Sequence, residues 1–91
     1  MRTPFTTHRF QRDVRVAERR GKDLQKLRTL MLLLASDADL PRSYQDHPLK
    51  GEWRDFRDAH VEPDWVLIYR FEGQDIIHFE RTGTHSDLFR E

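Results

Sequence analysis

A chain of 91 residues can enclose only one modest core, so a single domain spanning 1–91 is expected and a separate regulatory lobe is excluded. With 36% hydrophobic and 35% charged residues, no cysteine, and no run near the roughly 18 apolar residues that cross a bilayer, the composition excludes a helical membrane span, a disulfide framework and thiolate chemistry. Sixteen basic residues balance sixteen acidic ones, which argues against a uniformly basic nucleic-acid binder; yet residues 1–50 carry net +5 and 51–91 net −5, leaving room for a basic face in the first half.

The opening MRTPFTTHRFQRD has no apolar stretch of signal-peptide type, so neither a leader nor an anchor is expected. Residues 3–8, rich in Thr with one aromatic, predict a short first strand, with Pro4 tolerated at its start or on an edge. From Arg9 onward Phe10, Val14 and Ala17 recur at helical spacing between charged residues, and Gly21 is placed to terminate that helix. Asp23 caps a second helix whose inner stripe is Leu24, Leu27, Met31 and Leu34, widened by Leu30, Leu32 and Leu33. The short connection predicts an antiparallel helical hairpin. Residues 36–44 read as an outward loop.

Three strands are expected next, over 52–58, 65–71 and 75–82, the last two joined by a tight Glu72-Gly73-Gln74 turn. Trp53 and Phe56 break strict alternation, which suggests a bulge or a shortened strand. Apolar residues on both faces of 65–71 mark it as central. The expected architecture is therefore α+β: an N-terminal strand, a two-helix hairpin and a three-stranded antiparallel meander completing a four-stranded sheet, with the helices on one face and the other face open.

That layout gathers polar side chains near one end of the sheet. His47 is placed in the loop before the second strand, His60 and Asp64 in the connection before the third, Arg81 near the end of the fourth and His85 just beyond it. Imidazole titrates near neutrality, so a histidine pair can hold one base and one acid. Cleaving RNA without a metal needs that: a base to deprotonate the 2′-hydroxyl, an acid to protonate the departing 5′-oxygen, and a cation to steady the added charge.

Each residue also has a plainer role. A lone histidine is more often a surface or hydrogen-bonded structural group, the reading given to His8 and His78. Three histidines near an aspartate also have the chemistry of a zinc site, but none sits at the close spacings that make a metal motif specific. Asp58 can cap a turn. Trp53, Tyr69 and Phe71 fit a core, although an aromatic on an open sheet face can stack on a base, and Phe89 can simply dock the C-terminus. Gly83 alone is no phosphate loop. Residue chemistry by itself allows a nuclease without requiring one.

The stretch DHPLKGEWRDFRDAHVEPDWVLIYR followed by FERTGTHSDLF, together with RDV in the first helix and KDLQKL opening the second, closely resembles the YafQ toxins of bacterial toxin–antitoxin modules, within the RelE/ParE superfamily. The resemblance runs over nearly the whole chain and implies a RelE-like fold and a ribosome-dependent mRNA endonuclease. It further implies A-site cleavage through the 2′-hydroxyl with no metal or other cofactor. The implied partners are the 70S ribosome with its mRNA and a cognate antitoxin, with operator DNA reached only through the antitoxin complex, no membrane, and a bacterial cytoplasmic location. A preference for adenine-rich lysine codons is carried by the resemblance alone.

The family's functional positions correspond here to His47, Asp58, His60, Asp64, His85 and Phe89, with Arg81 at a basic position suited to phosphate contact. The resulting assignment has His85 as general acid, and His47, or His60 oriented by Asp64, as base. Because the net charge is zero, rRNA contact is assigned to a basic helical surface of Arg12, Arg15, Arg19, Arg20, Lys22, Lys26 and Arg28. Two other readings stay open: a ParE-like gyrase inhibitor that cleaves nothing, and a pure interaction module.

Overall fold

The computed structural model describes residues 1–89. In chain order the elements are β1 (Thr3–Thr6), α1 (His8–Arg19), α2 (Leu24–Ala35), a 3-10 turn (Arg42–Tyr44), β2 (His47–Pro48), a second 3-10 turn (Gly51–Trp53), β3 (Arg57–Glu62), β4 (Trp65–Glu72), β5 (Ile76–Gly83) and α3 (His85–Phe89). They form one sheet in the order β1-β5-β4-β3-β2, with β1 parallel to β5 and the other neighbours antiparallel.

Helix α1 begins where the Thr7 hydroxyl accepts the Phe10 N–H. The same hydroxyl donates to the Glu80 carbonyl, where β5 bulges against β4, so one side chain caps the helix and pins it to the sheet. The helix ends in a left-handed turn: Gly21, at φ 81°, donates to Glu18 O and Lys22 N–H donates to Ala17 O. That pattern satisfies the last carbonyls and reverses the chain without a β-carbon in the way. Asp23 then accepts from Gln25 N–H to start α2.

The alternation of β4 divides the core. Trp65, Leu67 and Tyr69 face the helix pair, where they pack with Ala59, Ile77, Phe79, Phe10, Ala17, Leu27, Leu30 and Leu34. Val66 and Ile68 face the other way, against Leu88 of α3 and the partly buried Leu49, Trp53, Phe56 and Phe89. The second face is thus partly covered and not left open as the sequence suggested. Leu32 also departs from expectation: it lies on the outer side of α2, 61% exposed, because the true stripe is narrower than seven apolar residues imply.

The four-stranded expectation becomes five. Gly51 at φ 67° and the turn it starts hold Gly51–Trp53 out of the sheet. Trp53 and Phe56, three apart, point to the same side and cap the second face, and the strand expected over 52–58 instead begins at Arg57. The extra strand is the two-residue β2, whose His47 and Pro48 oppose Asp58 and Arg57. Proline is tolerated there because β2 is an edge. No helix among the described residues is long and apolar enough to cross a membrane.

Candidate active site

Strand β3 places Asp58 and His60 two residues apart, so both side chains emerge on the second face, cross-strand from Ile68 and Val66 of β4. This corrects one placement, since His60 is on a strand and not in a connection; Asp58 falls in a strand, as the expected 52–58 span had it, and not at a turn cap. His47, expected in a loop, is the β2 partner of Asp58. His85 begins α3 just after Gly83, which pairs with the same Val66 that opposes His60. Three elements separate in sequence thereby bring three imidazoles to one end of the sheet.

The rings form a chain. His60 lies 6.3 Å from His47 and 5.4 Å from His85, centroid to centroid, each pair edge to face. Phe89 stands 6.1 Å beyond His85, with Trp53 6.4 Å from Phe89. Together with Leu49, Lys50 and Asp58 they line an open cleft of about 340 Å³. Lys50 is the residue the sequence reading missed. A lone lysine in the basic half gives no pattern signal, and only the turn beginning at Gly51 brings it to the cleft wall.

Asp58 sits beneath the histidines, only 3% exposed. Burial pushes its carboxyl above the ordinary value, and the positive charge of His47, His60 and His85 opposes that rise. Its Oδ1 is 3.1 Å from His47 Nδ1, but makes no directed hydrogen bond among the described residues. The hydrogen of that nitrogen goes elsewhere: Nδ1 is 2.7 Å from the Gln45 carbonyl, which can only accept. Nδ1 is therefore the protonated nitrogen of neutral His47, and Nε2 carries the lone pair.

A second carboxylate holds His85. Asp64 Oδ1 accepts from His85 N–H at 3.0 Å and from its Nδ1 at 2.7 Å. The backbone N–H and then the ring hold the Asp64 carboxyl below its usual value, so it is ionised at neutral pH. The same geometry leaves Nε2 of His85 as the nitrogen available for chemistry. The expectation that Asp64 orients His60 is corrected: Asp64 pairs with His85, because the β3–β4 turn carries it toward α3.

Arg81 lies beside the cleft, lining an adjoining cavity with Trp53, Leu88 and Phe89. Its guanidinium forms a two-pronged pair with Asp13 of α1, both contacts 2.9 Å, and does not line the histidine cleft. Asp13 also accepts from Thr82 N–H at 3.1 Å. Strand β1 stops pairing at Phe79, so beyond it the outer edge of β5 lacks a strand and the Asp13 carboxylate satisfies it instead. The basic set divides as well. Arg20 is tied to Asp87 at 2.7 Å, and Lys22 and Lys26 share Glu62 at 2.9 and 3.0 Å, whereas Arg12, Arg15, Arg19 and Arg28 are exposed along the helices.

Of the remaining histidines, His8 starts α1, and His78 pairs with Glu72 at 2.7 Å while stacking on Phe5. Among the described residues no group of three or more His, Asp or Glu side chains converges in a way that could hold a metal ion.

Comparison with known proteins agrees over the whole of this architecture. The mRNA interferase toxin YafQ of Escherichia coli K12 is 52% identical over 81 residues, covering 88% of this chain and 87% of that protein. The crystal structure of YafQ from E. coli BL21(DE3) superposes with a TM-score of 0.92 at 47% identity, covering 98% of this chain and 99% of that one. YafQ in the crystal structure of the E. coli DinJ–YafQ complex superposes at 0.89 with 48% identity, covering 98% and 99%. Residues 2–90 match the family described as the bacterial toxin of type II toxin–antitoxin system, YafQ, and with sequence and fold in accord the chain belongs to that family.

Proposed function

We propose that this chain is an endoribonuclease toxin that cleaves mRNA on the translating ribosome and is held inactive by a cognate antitoxin. The observation that carries the reading is the cleft in which His47 and His85, each with Nδ1 committed to an oxygen acceptor, flank His60 above the buried Asp58. E. coli relatives named mRNA interferase toxins, and one crystallised with DinJ, support the same activity and class of partner.

In this mechanism Nε2 of His47 takes the proton of a 2′-hydroxyl, whose oxygen attacks the adjacent phosphorus. The P–O5′ bond breaks, a 2′,3′-cyclic phosphate remains, and the leaving 5′-oxygen takes a proton from Nε2 of protonated His85. Lys50 and a protonated His60 offset the charge gathered on the phosphoryl oxygens. Asp64 orients the acid, while Asp58 places negative charge behind the three imidazoles and favours their protonated forms. Phe89 and Trp53 supply aromatic surface for a base at the cleft mouth. Arg81, bound to Asp13, braces β5 in this scheme and lines the cavity beside Trp53 and Phe89. The exposed Arg12, Arg15, Arg19 and Arg28 serve rRNA positioning.

The test is cell-free translation with wild type or His85→Ala, with message 5′ ends mapped by primer extension. New ends inside translated codons are expected with wild type, and a loss of 100-fold or more in their yield with the variant, since acid–base groups contribute about 10²–10⁴-fold. Stalled translation with an intact message would reject the nuclease reading.

A further inference from the structure

The neighbour of His47 in the chain, Asp46, faces the opposite side of the sheet, and that side holds it rigidly. Its carboxylate accepts from the Tyr69 hydroxyl and, at 2.8 and 3.3 Å, from two nitrogens of the Arg57 guanidinium. Tyr69 is fully buried in β4, and Arg57 is its cross-strand partner in β3, so both donors are fixed to inner strands of the sheet. Burial first, and then the Asp46 contact, raise the Tyr69 phenol above its ordinary value, so it is a neutral donor throughout the physiological range. Arg57 likewise keeps its charge, held chiefly by its hydrogen bond to Asp46.

On the other side of Asp46, Gln45 occupies the left-handed region at φ 49°, an uncommon conformation for a residue with a β-carbon. That conformation directs its carbonyl at His47 Nδ1. Gln45 closes the Arg42–Tyr44 turn with a 2.9 Å bond from its N–H to Arg42 O, and its own side chain is exposed. Holding a non-glycine residue there carries a steric cost of about 1–2 kcal/mol. The adjoining carboxylate, clamped by two donors, supplies the restraint.

We propose that Asp46, Tyr69 and Arg57 are positioning residues for the cleavage reaction: by fixing the 45–47 segment they aim the Gln45 carbonyl at His47 Nδ1 and so select the tautomer whose Nε2 is free to act as the base. The proposal rests on the base role given to His47 above. Its logic is that of an outer acceptor fixing an imidazole, with a backbone carbonyl in place of a carboxylate and the carboxylate one step further back. Asp58, close to the same nitrogen but lacking a directed bond, is free to balance charge instead of orienting the ring.

Two variants test it, Tyr69→Phe and Asp46→Asn, each close in shape to the native residue, with folding verified by circular dichroism. The first readout is the two-bond proton–nitrogen NMR spectrum of the imidazoles under conditions where His47 is neutral. Wild type is expected to show a pyrrole-type Nδ1 and a pyridine-type Nε2 at His47, and the variants a mixture with Nε2–H substantially populated. The second is the pH–rate profile of cleavage, where kcat is expected to fall about tenfold or more in the variants with KM little changed, as misplacement of a reacting group by about an ångström costs up to 10²-fold. A folded Asp46→Asn with the wild-type tautomer and the wild-type profile overturns the proposal. A tautomer shift in a background where His47→Ala still cleaves at the wild-type rate overturns the base role instead, and the two failures are thereby told apart.

Discussion

Asp58 is where function and stability oppose each other at the scale of one residue. Burial raises its carboxyl while the imidazoles restrain the rise, so ionising it costs stability that a neutral side chain would not. The sign follows from the raised value: a carboxyl that holds its proton more tightly folded than unfolded disfavours the fold as pH rises through that range, and more so as the imidazoles lose their protons. Asp58→Asn is therefore expected to stabilise the fold at pH 7–8 by on the order of 1 kcal/mol, seen as a higher thermal midpoint, while lowering cleavage, with the gain shrinking toward pH 4. Thermal melts across pH check it, and an equal or lower midpoint at pH 8 would contradict it. Asp87 has the opposite sign. The Arg20 hydrogen bond lowers its carboxyl to about 2, so its contribution is complete above about pH 4 and disappears as pH falls toward 2. Partly exposed, the pair is worth less than about 1 kcal/mol, and Asp87→Asn should flatten the acid limb of the stability curve by no more than that.

At the scale of elements, the site depends on two facts of chain geometry. The period of two in β3 puts Asp58 and His60 on one face, and the same period around β2 puts Asp46 and His47 on opposite faces. The string DAH carries the first fact, but the apolar pattern of the sequence points to a strand over 52–58, five residues earlier at its start than the observed β3. Trp53 and Phe56 are apolar enough to resemble a strand, and only their packing together on the second face shows the turn. Helix ends were easier, since caps are local: Gly21 and Asp23 act where the sequence placed them. Gly21→Ala should cost about 1–2 kcal/mol in chemical denaturation, because alanine must adopt φ 81° there or break the turn between α1 and α2. A loss below about 0.3 kcal/mol would show that the turn is not held.

For the whole molecule, neutral net charge conceals a division of labour. On the two helices, carboxylates partner Arg20, Lys22 and Lys26, while Arg12, Arg15, Arg19 and Arg28 stand exposed. Reversing Arg12, Arg15 and Arg19 to Glu is expected to weaken ribosome binding at least tenfold and to reduce the slope of log affinity against log salt, while the NMR signature of His47 stays as in wild type. Sedimentation with ribosomes at several salt concentrations measures it, and unchanged binding would remove α1 from the interface. Periodicity, caps and motifs are local properties of the chain, and they suffice for the class of fold, the helix pair, the central strand and, through resemblance to a family, for which histidines to watch. Long-range packing sets the rest: Asp64 serves His85 and not His60, Arg81 is bound to Asp13, Lys50 joins the cleft, and Asp46 is held by Tyr69 on the helix side of the sheet. The three side-chain pairings among these join residues 21 to 68 positions apart. Strand register and turn geometry set them, and neither is written in the spacing of the residues themselves.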